Sequence, residues 1–573
     1  MAAQASLVLP EPTAPTQRLS LLQGPVDPPL VDLTLGELLE LQTYQNGSKE
    51  CLVIPWTGAR WTYNELNQQS YLLAQSLLAM GIGSGDRVGI MAGNCEQYAA
   101  VFFAVARIGA ILVILNNTYT PTEAMYAIQF TECKVFFTTQ KIGRVDNTPL
   151  LVQLDNEVKH PKIVILRGPN GKYPTYDQLI QSSRSRPHDK LFEAMRRVLP
   201  HQVCNLQFTS GTTGHPKAAM LTHHNLVNNS RFIGDRMRLT SSDILCCPPP
   251  LFHCFGLVLG LLAVLTHGGK IVYPSEVFDP AATIEAVTDE GCTALHGVPA
   301  MFDTLFEQLP AGFECKTLRT GIVAGAPVPR SLMEKMVNIF GMTEFTSSYG
   351  LTEASPTCFN AFTDDLIDKR LTTVGTLMPH AHAKIVDRNG NVVPIGERGE
   401  LCIAGYQLQA GYWNNSEKTN ECMIRDAAGV LWLHTGDEAV FDEDGYCSIT
   451  GRFKDIIIRG GENIYPLEIE ERLISHPSIS RAIVVALADK HYGEIVGAFL
   501  ELREGCIIPE NNEIKEWVRS RLGRHKVPSH LFWLGRDGVP AGVPLTGSGK
   551  VKKYEMAQLG NRILKERMAL AKL

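Results

Sequence analysis

The stretch Thr209-Ser-Gly-Thr-Thr-Gly-His-Pro-Lys217 combines two glycines, four hydroxyl side chains and one lysine within nine residues. Alternating apolar and polar residues from Val203 to Phe208 lead into it and predict a strand that ends in a turn. Glycine lets backbone N–H groups approach a ligand closely, and successive N–H groups form an anion-binding concavity. The stretch therefore predicts a site for a di- or triphosphate, although a flexible Ser/Gly/Thr linker has the same composition. Its candidate ligands are Thr209, Ser210, Gly211, Thr212, Thr213, Gly214 and Lys217.

Length and composition indicate a globular protein of two or more domains. The 573 residues exceed what one hydrophobic core usually supports, and 45% hydrophobic with 20% charged residues is ordinary for a folded chain. A net charge of −6 gives no argument for nucleic acid, so we expect no nucleic-acid partner. The 14 cysteines lack C-x-x-C pairs and zinc-type His spacing, which argues against a zinc site or a disulfide framework. The pattern predicts buried thiols in a reducing compartment.

Targeting and membrane signals are few. No apolar run reaches the roughly 20 residues that a membrane-spanning helix needs, so we expect no membrane span. No basic segment followed by an apolar core opens the chain, which disfavours a secretory signal. Ala571-Lys572-Leu573 resembles the S-K-L peroxisomal address with alanine in place of serine. We therefore expect a peroxisomal location with an import receptor as partner, and otherwise a cytoplasmic one.

The hydrophobic pattern predicts an α/β fold in the first and larger part of the chain. A helix from Asn64 to Met80 ends at Gly81, and a strand-helix-strand unit over Arg87–Leu115 implies a parallel sheet. From about residue 370 short strands alternate with glycine-rich turns. After about residue 455 a compact α+β pattern follows, opened by a helix at Pro466. Residues 1–28, rich in Ala, Pro and Gln, read as a flexible arm.

Further stretches interrupt these patterns with polar groups. Each has an ordinary explanation when taken alone, as a core histidine, a turn or a solvated basic loop. They are Pro250-Leu-Phe-His253-Cys-Phe-Gly256, Gly325-Ala-Pro327, Ser347-Ser-Tyr-Gly-Leu-Thr-Glu353, His434-Thr-Gly-Asp437, Gly451-Arg452 and Pro544-Leu-Thr-Gly-Ser-Gly-Lys550.

Together and in this order, these stretches resemble the adenylate-forming superfamily of acyl-CoA synthetases, adenylation domains and luciferases. The resemblance covers about residues 35–560, and chance assembly of all its motifs is negligible. It implies an AMP-forming ligase in which a carboxylate attacks the α-phosphate of ATP and coenzyme A then takes the acyl group. It also implies a large domain over 29–452 with layered α/β subdomains and a small barrel-like β subdomain, a hinge at 453–455 and a smaller mobile domain over 456–573.

The resemblance assigns a role to each motif. Thr209–Lys217 would hold the β- and γ-phosphates, Thr352 would donate to the α-phosphate, and Glu353 would bind Mg²⁺. Lys550 would stabilise the charge that develops at the α-phosphate and the acyl carboxylate. The other residues with implied nucleotide or coenzyme A contacts are Gly325, Ala326, Pro327, Tyr349, Gly350, Asp437, Arg452, Gly460, Gly461 and Glu462, and the implied hinge residue is Lys454.

The acyl pocket is expected to exclude amino acids. Amino-acid-activating members usually carry an aspartate after the phenylalanine of this block, whereas Phe252 is followed here by His253, a candidate catalytic and substrate-binding residue. The pocket wall is expected to include His253, Val298, Val323, Ala324, Ser347 and Ser348, without a buried charge. That composition favours a short or medium, branched, hydroxylated or aromatic acid, and siderophore-type acyl-CoA ligases are one family possibility. A stand-alone enzyme that loads a separate carrier protein and a non-catalytic nucleotide-binding homologue are the alternatives.

Overall fold

The computed structural model describes residues 18–156, 161–209, 216–325, 328, 330–453, 455–460, 462–545 and 551–570. The chain forms a mixed α/β structure with several separate sheets and a C-terminal α+β domain, as the sequence predicts. The α-helices comprise Leu35–Asn46, Tyr63–Ala79, Glu96–Arg107, Pro121–Phe130, Thr148–Asn156, Tyr176–Ser183, Asp189–Met195, His223–Arg236, Ala263–Thr266, Pro280–Asp289, Pro299–Gln308, Arg330–Phe340, Ile367–Thr372, Ser416–Cys422, Pro466–Ile474, Asn511–Arg519 and Lys553–Leu570. Within the described residues, none of the helices combines the length and apolar character needed to cross a bilayer.

Threonine side chains start several of these helices. The helix predicted at Asn64–Met80 runs from Tyr63 to Ala79, and the Thr62 hydroxyl accepts a hydrogen bond from the Glu65 N–H while the Glu65 carboxylate accepts from the Thr62 N–H. This reciprocal capping box satisfies two N–H groups that a helix start otherwise leaves unpaired. Gly81 follows the helix in the left-handed conformation, at the position the sequence predicts.

A six-stranded sheet carries the predicted strand-helix-strand unit. Its strands in spatial order are Lys217–Thr222, Val203–Thr209, Ile111–Ile114, Arg87–Met91, Val135–Thr138 and Lys162–Ile165. All neighbours run parallel except Lys217–Thr222, which is antiparallel to Val203–Thr209. The predicted phosphate-binding stretch therefore joins two antiparallel strands at the end of this sheet, and Thr209 lies opposite Lys217.

Two further sheets complete the central part of the chain. One has the strand order Ala294–Leu295, Ile244–Cys246, Lys270–Val272, Glu50–Ile54 and Ala59–Thr62. The other has the order Ile322–Val323, Thr346–Gly350, Thr357–Asn360 and Thr376–Leu377. Their adjoining strands Ala294–Leu295 and Ile322–Val323 are linked by a parallel bridge between Gly297 and Val323, so the segments expected to line the acyl pocket lie side by side.

The region of short strands forms a six-stranded sheet. Its order is Leu21–Gln23, Ala381–Val386, Gly399–Gly405, Leu431–Phe441 and Met423–Arg425, with Cys447–Arg452 also paired to Leu431–Phe441. The expectation of a loose arm through residue 28 is wrong for its described part, because Leu21–Gln23 pairs with Ala381–Val386 and the backbone hydrogen bonds of a sheet fix it.

The C-terminal domain has its own sheet and core. The strand order is Glu462–Ile464, Ile457–Arg459, Gly493–Leu502 and Ile479–Asp489, and His530–Trp533 runs parallel to Gly493–Leu502. Pro466 occupies the first turn of its helix, as predicted. Apolar residues of the helices Pro466–Ile474 and Asn511–Arg519 pack with those of this sheet in one buried cluster.

Candidate active site

Tyr349, Asp437 and Arg452, which the sequence places in three separate motifs, meet at one carboxylate. The Tyr349 hydroxyl donates to Asp437 Oδ2 at 2.6 Å, and Arg452 Nε donates to Asp437 Oδ1 at 2.7 Å. The strand register places Asp437 opposite Arg452, while Tyr349 belongs to a strand of the neighbouring sheet. The Asp437 side chain is 7% exposed and that of Arg452 is 54% exposed, so the ion pair lies at the boundary between the interior and solvent.

The charge of Asp437 contributes to the raised pKa values of both its partners. It is the largest contribution to the raised pKa of Arg452, which therefore remains a cation. Burial, followed by the Asp437 charge, raises the pKa of the Tyr349 hydroxyl well above its ordinary value, so the phenol stays a donor. A carboxylate has about four acceptor positions, and these two donors leave room for further hydroxyl donors.

Asp437 sits on a bulge that its own strand makes. Cys402 pairs with His434 and Glu400 pairs with Glu438, so the residues Thr435–Asp437 oppose a single residue, Leu401. The Thr435 hydroxyl donates to the Leu401 carbonyl at 2.8 Å and accepts from the Asp437 N–H at 3.1 Å.

Glu400 holds the middle of this bulge. Its Oε1 accepts from the Gly436 N–H at 3.1 Å, and its Oε2 lies 2.9 Å from His434 Nδ1. Gly436 has a φ of 70°, a left-handed conformation that glycine adopts without a Cβ clash. One carboxylate therefore fixes the turn that presents Asp437. Glu400 carries no motif of its own in the sequence, where it follows an ordinary glycine-rich turn.

A second cluster forms around Glu353. The Thr209 hydroxyl donates to Glu353 Oε1 at 3.2 Å, and the Tyr412 hydroxyl donates to the same oxygen at 2.8 Å. Lys217 Nζ lies 4.5 Å from the centroid of the Tyr412 ring, a distance typical of a cation–π contact. The two end residues of the predicted phosphate-binding stretch therefore lie close to the predicted metal ligand, Thr209 by direct contact and Lys217 through Tyr412.

Tyr412 is a second residue that sequence reasoning misses. The segment around it lies along the strand Lys217–Thr222, since the Met220 N–H donates to the Gly411 carbonyl and the Trp413 N–H donates to the Ala218 carbonyl. Burial, followed by the Glu353 charge, raises the pKa of the Tyr412 hydroxyl, which keeps it a hydrogen-bond donor. An aromatic residue after a glycine is too common a pattern to have identified it.

The segment Tyr349–Glu353 joins the two clusters. Gly350 allows the chain to turn tightly here, because a Cβ at this position would lie 2.1 Å from the Pro356 carbonyl oxygen. A single 3₁₀ turn over Thr352–Ala354 follows. Tyr349 and Glu353 consequently point into different clusters from positions four residues apart, and this geometry suits one ligand that contacts both.

The residues on either side of His253 contact Gln207, on the strand that leads into the predicted phosphate-binding stretch. His253 Nδ1 accepts a hydrogen bond from the Phe255 N–H at 3.1 Å, at the start of a π-helix over Phe255–Leu262, an element that is frequent at functional sites. The neighbouring Cys254 contacts Gln207 and Thr352. Burial, followed by the Glu353 charge, raises the pKa of the Cys254 thiol to about 12, so it stays uncharged.

The expected acyl-pocket residues lie on adjoining strands. Val323 pairs with Ser347, and a Cβ on Gly325 would lie 3.3 Å from Val298 Cγ1. The Ser347 hydroxyl donates to the Thr373 carbonyl at 2.6 Å, and that of Ser348 donates to the Phe359 carbonyl at 3.3 Å. Both hydroxyl groups therefore connect neighbouring segments of backbone, while Val298 and Ala324 are half-buried at the edge of the main core.

Several predicted residues lie outside the described part of the chain. They are Ser210, Gly211, Thr212, Thr213, Gly214, Ala326, Pro327, Lys454, Gly461 and Lys550. The ends of the segment that holds Lys550 are described, and Leu545 bridges to Val551 there. Among the expected coenzyme A contacts, the Gly460 N–H donates to the Tyr492 carbonyl at 2.9 Å, and the Glu462 side chain is 66% exposed. Their roles remain predictions.

Comparison with known proteins gives this arrangement a family. The AMP-binding enzyme model matches residues 39–413, and the AMP-binding enzyme C-terminal domain model matches residues 468–550. The first match alone covers more than half of the chain. The protein is therefore a nucleotide-binding enzyme. It belongs to the AMP-binding enzyme family.

Two relatives agree with this membership, and a solved structure shares the fold. An acyl-CoA ligase sidI from Beauveria bassiana is 76% identical over 568 residues, covering 99% of both chains. An acyl-CoA ligase sidI from Aspergillus fumigatus is 60% identical and covers 97% of this chain and 96% of its own. The crystal structure of the anthranilate CoA ligase AuaEII with anthranoyl-AMP superposes with a TM-score of 0.82 at 22% identity, covering 93% of this chain and 98% of its own. This last similarity concerns the fold alone.

Proposed function

We propose that this chain is an ATP-dependent acyl-CoA ligase. A carboxylate oxygen of the acid attacks the α-phosphorus of ATP, so that a new P–O bond forms, the bond to the β-phosphate bridge breaks and pyrophosphate leaves. The thiol of coenzyme A then attacks the carbonyl carbon of the acyl-adenylate. The thiol loses its proton, AMP leaves with the bridging oxygen, and an acyl thioester remains.

One observation carries this proposal: the two polar clusters share the segment Tyr349–Glu353. At one end Tyr349 contacts Asp437, whose free acceptor positions suit the paired hydroxyl groups of a ribose. At the other end Glu353 contacts Thr209, next to the predicted phosphate-binding stretch. A nucleoside triphosphate has its sugar and its phosphates in the same order, so a single ATP fits both clusters with its α-phosphate near Thr352.

The residues around Glu353 fit a magnesium ion. Mg²⁺ prefers hard oxygen ligands and is usually bound by one or two carboxylates together with phosphate oxygens. The Glu353 carboxylate and the Thr209 hydroxyl supply such oxygens, and Glu353 would hold the ion. Bound Mg²⁺ neutralises negative charge on the phosphate oxygens. Tyr412 donates to Glu353 Oε1 and would keep the carboxylate oriented for this task.

The acid is proposed to be short or medium in length, branched, hydroxylated or aromatic, and to lack an α-ammonium group. His253 replaces the aspartate that would pair with such an ammonium, and Val298 and Ala324 add apolar surface. The two relatives named acyl-CoA ligase support coenzyme A as the acceptor. Lys550 is proposed to stabilise charge at the α-phosphate, and Gly460 and Gly461 to border the path of the coenzyme A arm.

The test is a panel of carboxylic acids offered to the purified protein with ATP and Mg²⁺, with and without coenzyme A. The proposal predicts pyrophosphate release that depends on the acid, and thioester formation only when coenzyme A is present. Amino acids included in the panel should give no release. Acid-dependent pyrophosphate without any thioester would favour an enzyme that loads a carrier protein. Absence of pyrophosphate with every acid would favour a non-catalytic nucleotide-binding protein and overturn the proposal.

We also propose a peroxisomal location through Ala571-Lys572-Leu573. The support is the match of this tripeptide to the small-basic-leucine form of the S-K-L address. A fluorescent protein fused ahead of the chain should concentrate in peroxisomes, and the same fusion without the three residues should stay in the cytoplasm. Identical cytoplasmic distributions for both fusions would overturn the proposal.

A further inference from the structure

Asp32, His201 and His224 come from three separate parts of the chain, and their potential metal-binding atoms converge. Asp32 Oδ1 lies 3.0 Å from His224 Nδ1 and 3.6 Å from His201 Nε2, and one atom of each residue lies within 4.8 Å of the other two. In a tetrahedral zinc site with metal–ligand distances of about 2.0–2.2 Å, neighbouring ligand atoms are about 3.3 Å apart. The two measured separations from Asp32 lie on either side of that value.

The backbone next to Asp32 is fixed on both sides. One residue before it, Val31 donates its N–H to Asn228 Oδ1 at 2.8 Å and accepts from Asn228 Nδ2 at 2.9 Å. Three residues after it, the Leu35 N–H donates to His223 Nδ1 at 3.1 Å. Because Asn228 and His223 belong to the helix His223–Arg236, these contacts hold the Asp32 backbone against the helix that carries His224.

The backbone next to His201 is tied to the same helix. The His224 N–H donates to the Pro200 carbonyl at 2.7 Å, directly before His201. The two imidazole rings consequently lie with their centroids 4.4 Å apart. The backbone segments that carry the three side chains are therefore held together by contacts that do not depend on a bound ion, and this arrangement favours a metal site.

The chemistry of His224 suits a metal ligand. The neutral imidazole of histidine is a common metal ligand. Asn228 Nδ2 lies 3.4 Å from His224 Nδ1, but its two hydrogens already serve the carbonyls of Val31 and His224 at 2.9 Å each. His224 Nδ1 thus remains directed toward Asp32.

We propose that Asp32, His201 and His224 form a zinc-binding site whose remaining coordination position is taken by water. Two imidazoles and one carboxylate are ligands that Zn²⁺ accepts. The Asp32 and His201 side chains are 73% and 72% exposed, so an ion enters from solvent and these two side chains rotate to complete its geometry. The three ligands lie far apart in the sequence, which is why ligand spacing gives no sign of the site. The proposal does not depend on the proposed ligase activity.

The proposed site connects segments that precede or begin two different helices. Asp32 precedes the helix Leu35–Asn46, and His224 lies at the start of the helix that follows the strand Lys217–Thr222. An ion that binds the folded chain and not the unfolded one raises the stability of the folded chain. Zinc should therefore raise the thermal midpoint as well as bind.

The test is a titration of the full-length, metal-stripped protein with Zn²⁺ against a chromophoric chelator, together with thermal unfolding with and without the ion. The variants Asp32→Asn and His201→Ala change exposed side chains, and His491→Ala removes an exposed histidine elsewhere. The wild-type protein and His491→Ala should bind one Zn²⁺ per chain and show a raised midpoint. Asp32→Asn and His201→Ala should each bind at least about tenfold more weakly and show little change in midpoint. Absence of saturable binding, or equal binding by all four proteins, would overturn the proposal.

Discussion

Asp437→Asn tests the proposed nucleotide site with the smallest change in shape. The carboxylate accepts from Tyr349 and Arg452 through one oxygen each. Asparagine replaces one of these oxygens with an amide nitrogen that donates and cannot accept, which removes about two of the four acceptor positions and the negative charge. A hydrogen bond to a charged group contributes about 1.5–3 kcal/mol. The KM for ATP should therefore rise by about 10- to 150-fold, with a smaller change in kcat.

The assay is acid-dependent pyrophosphate release over a range of ATP concentrations, supported by direct measurement of ATP binding. Asp442→Asn is the matched control. Asp442 directly follows the strand that carries Asp437, and its carboxylate forms an ion pair with Lys369 rather than with Tyr349 or Arg452. The control should keep the wild-type KM for ATP. An unchanged KM in Asp437→Asn, or a raised KM for the acid with that for ATP unchanged, would refute the assignment of Asp437 to the nucleotide.

Three further predictions concern Glu400, Lys550 and His296. Glu400→Gln should raise the KM for ATP by about fivefold, since one hydrogen bond worth about 1 kcal/mol to Gly436 or His434 is lost. The control variant Glu397→Gln, on an exposed turn, should leave the KM for ATP unchanged. Equal KM values in the two variants would contradict a positioning role for Glu400. Lys550→Ala should abolish adenylate formation yet still transfer the acyl group from a supplied acyl-adenylate to coenzyme A, and equal loss of both half-reactions would contradict its assignment. Burial lowers the pKa of His296 from its ordinary value of 6.5 to about 4, so the unfolded chain takes up this proton first as the pH falls. Between these two pH values the free energy of unfolding should drop by up to about 1.4 kcal/mol per pH unit because of this group. His296→Gln should remove this contribution from the pH dependence of the thermal midpoint.

Local signals predicted the individual elements well. The helix Tyr63–Ala79 is predictable because its apolar face, its threonine cap and Gly81 all lie within one stretch of sequence. The prediction of a loose arm was wrong for Leu21–Gln23, because this segment forms a strand by pairing with Ala381–Val386. The partner strand lies more than 300 residues away, so the sequence of the short segment does not indicate the pairing.

The same distinction applies to the site. Asp437 and Glu353 belong to short motifs, so the sequence predicts them as site residues, and in the structure they contact Tyr349 and Thr209. Glu400 contacts a bulge in the neighbouring strand, and Tyr412 contacts Glu353 from a segment that pairs with another strand. Their roles depend on contacts between distant segments and carry no local motif of their own.

Transfer of an oxygen atom from the acid to AMP would test the proposed mechanism directly. In this mechanism the acid attacks the α-phosphorus of an ATP that contacts both clusters. An acid that supports thioester formation, labelled with heavy oxygen in both carboxylate positions, is converted with unlabelled ATP and coenzyme A, and the AMP is analysed by mass spectrometry. We expect one labelled oxygen in each AMP formed. Thioester accompanied by unlabelled AMP would contradict the mechanism.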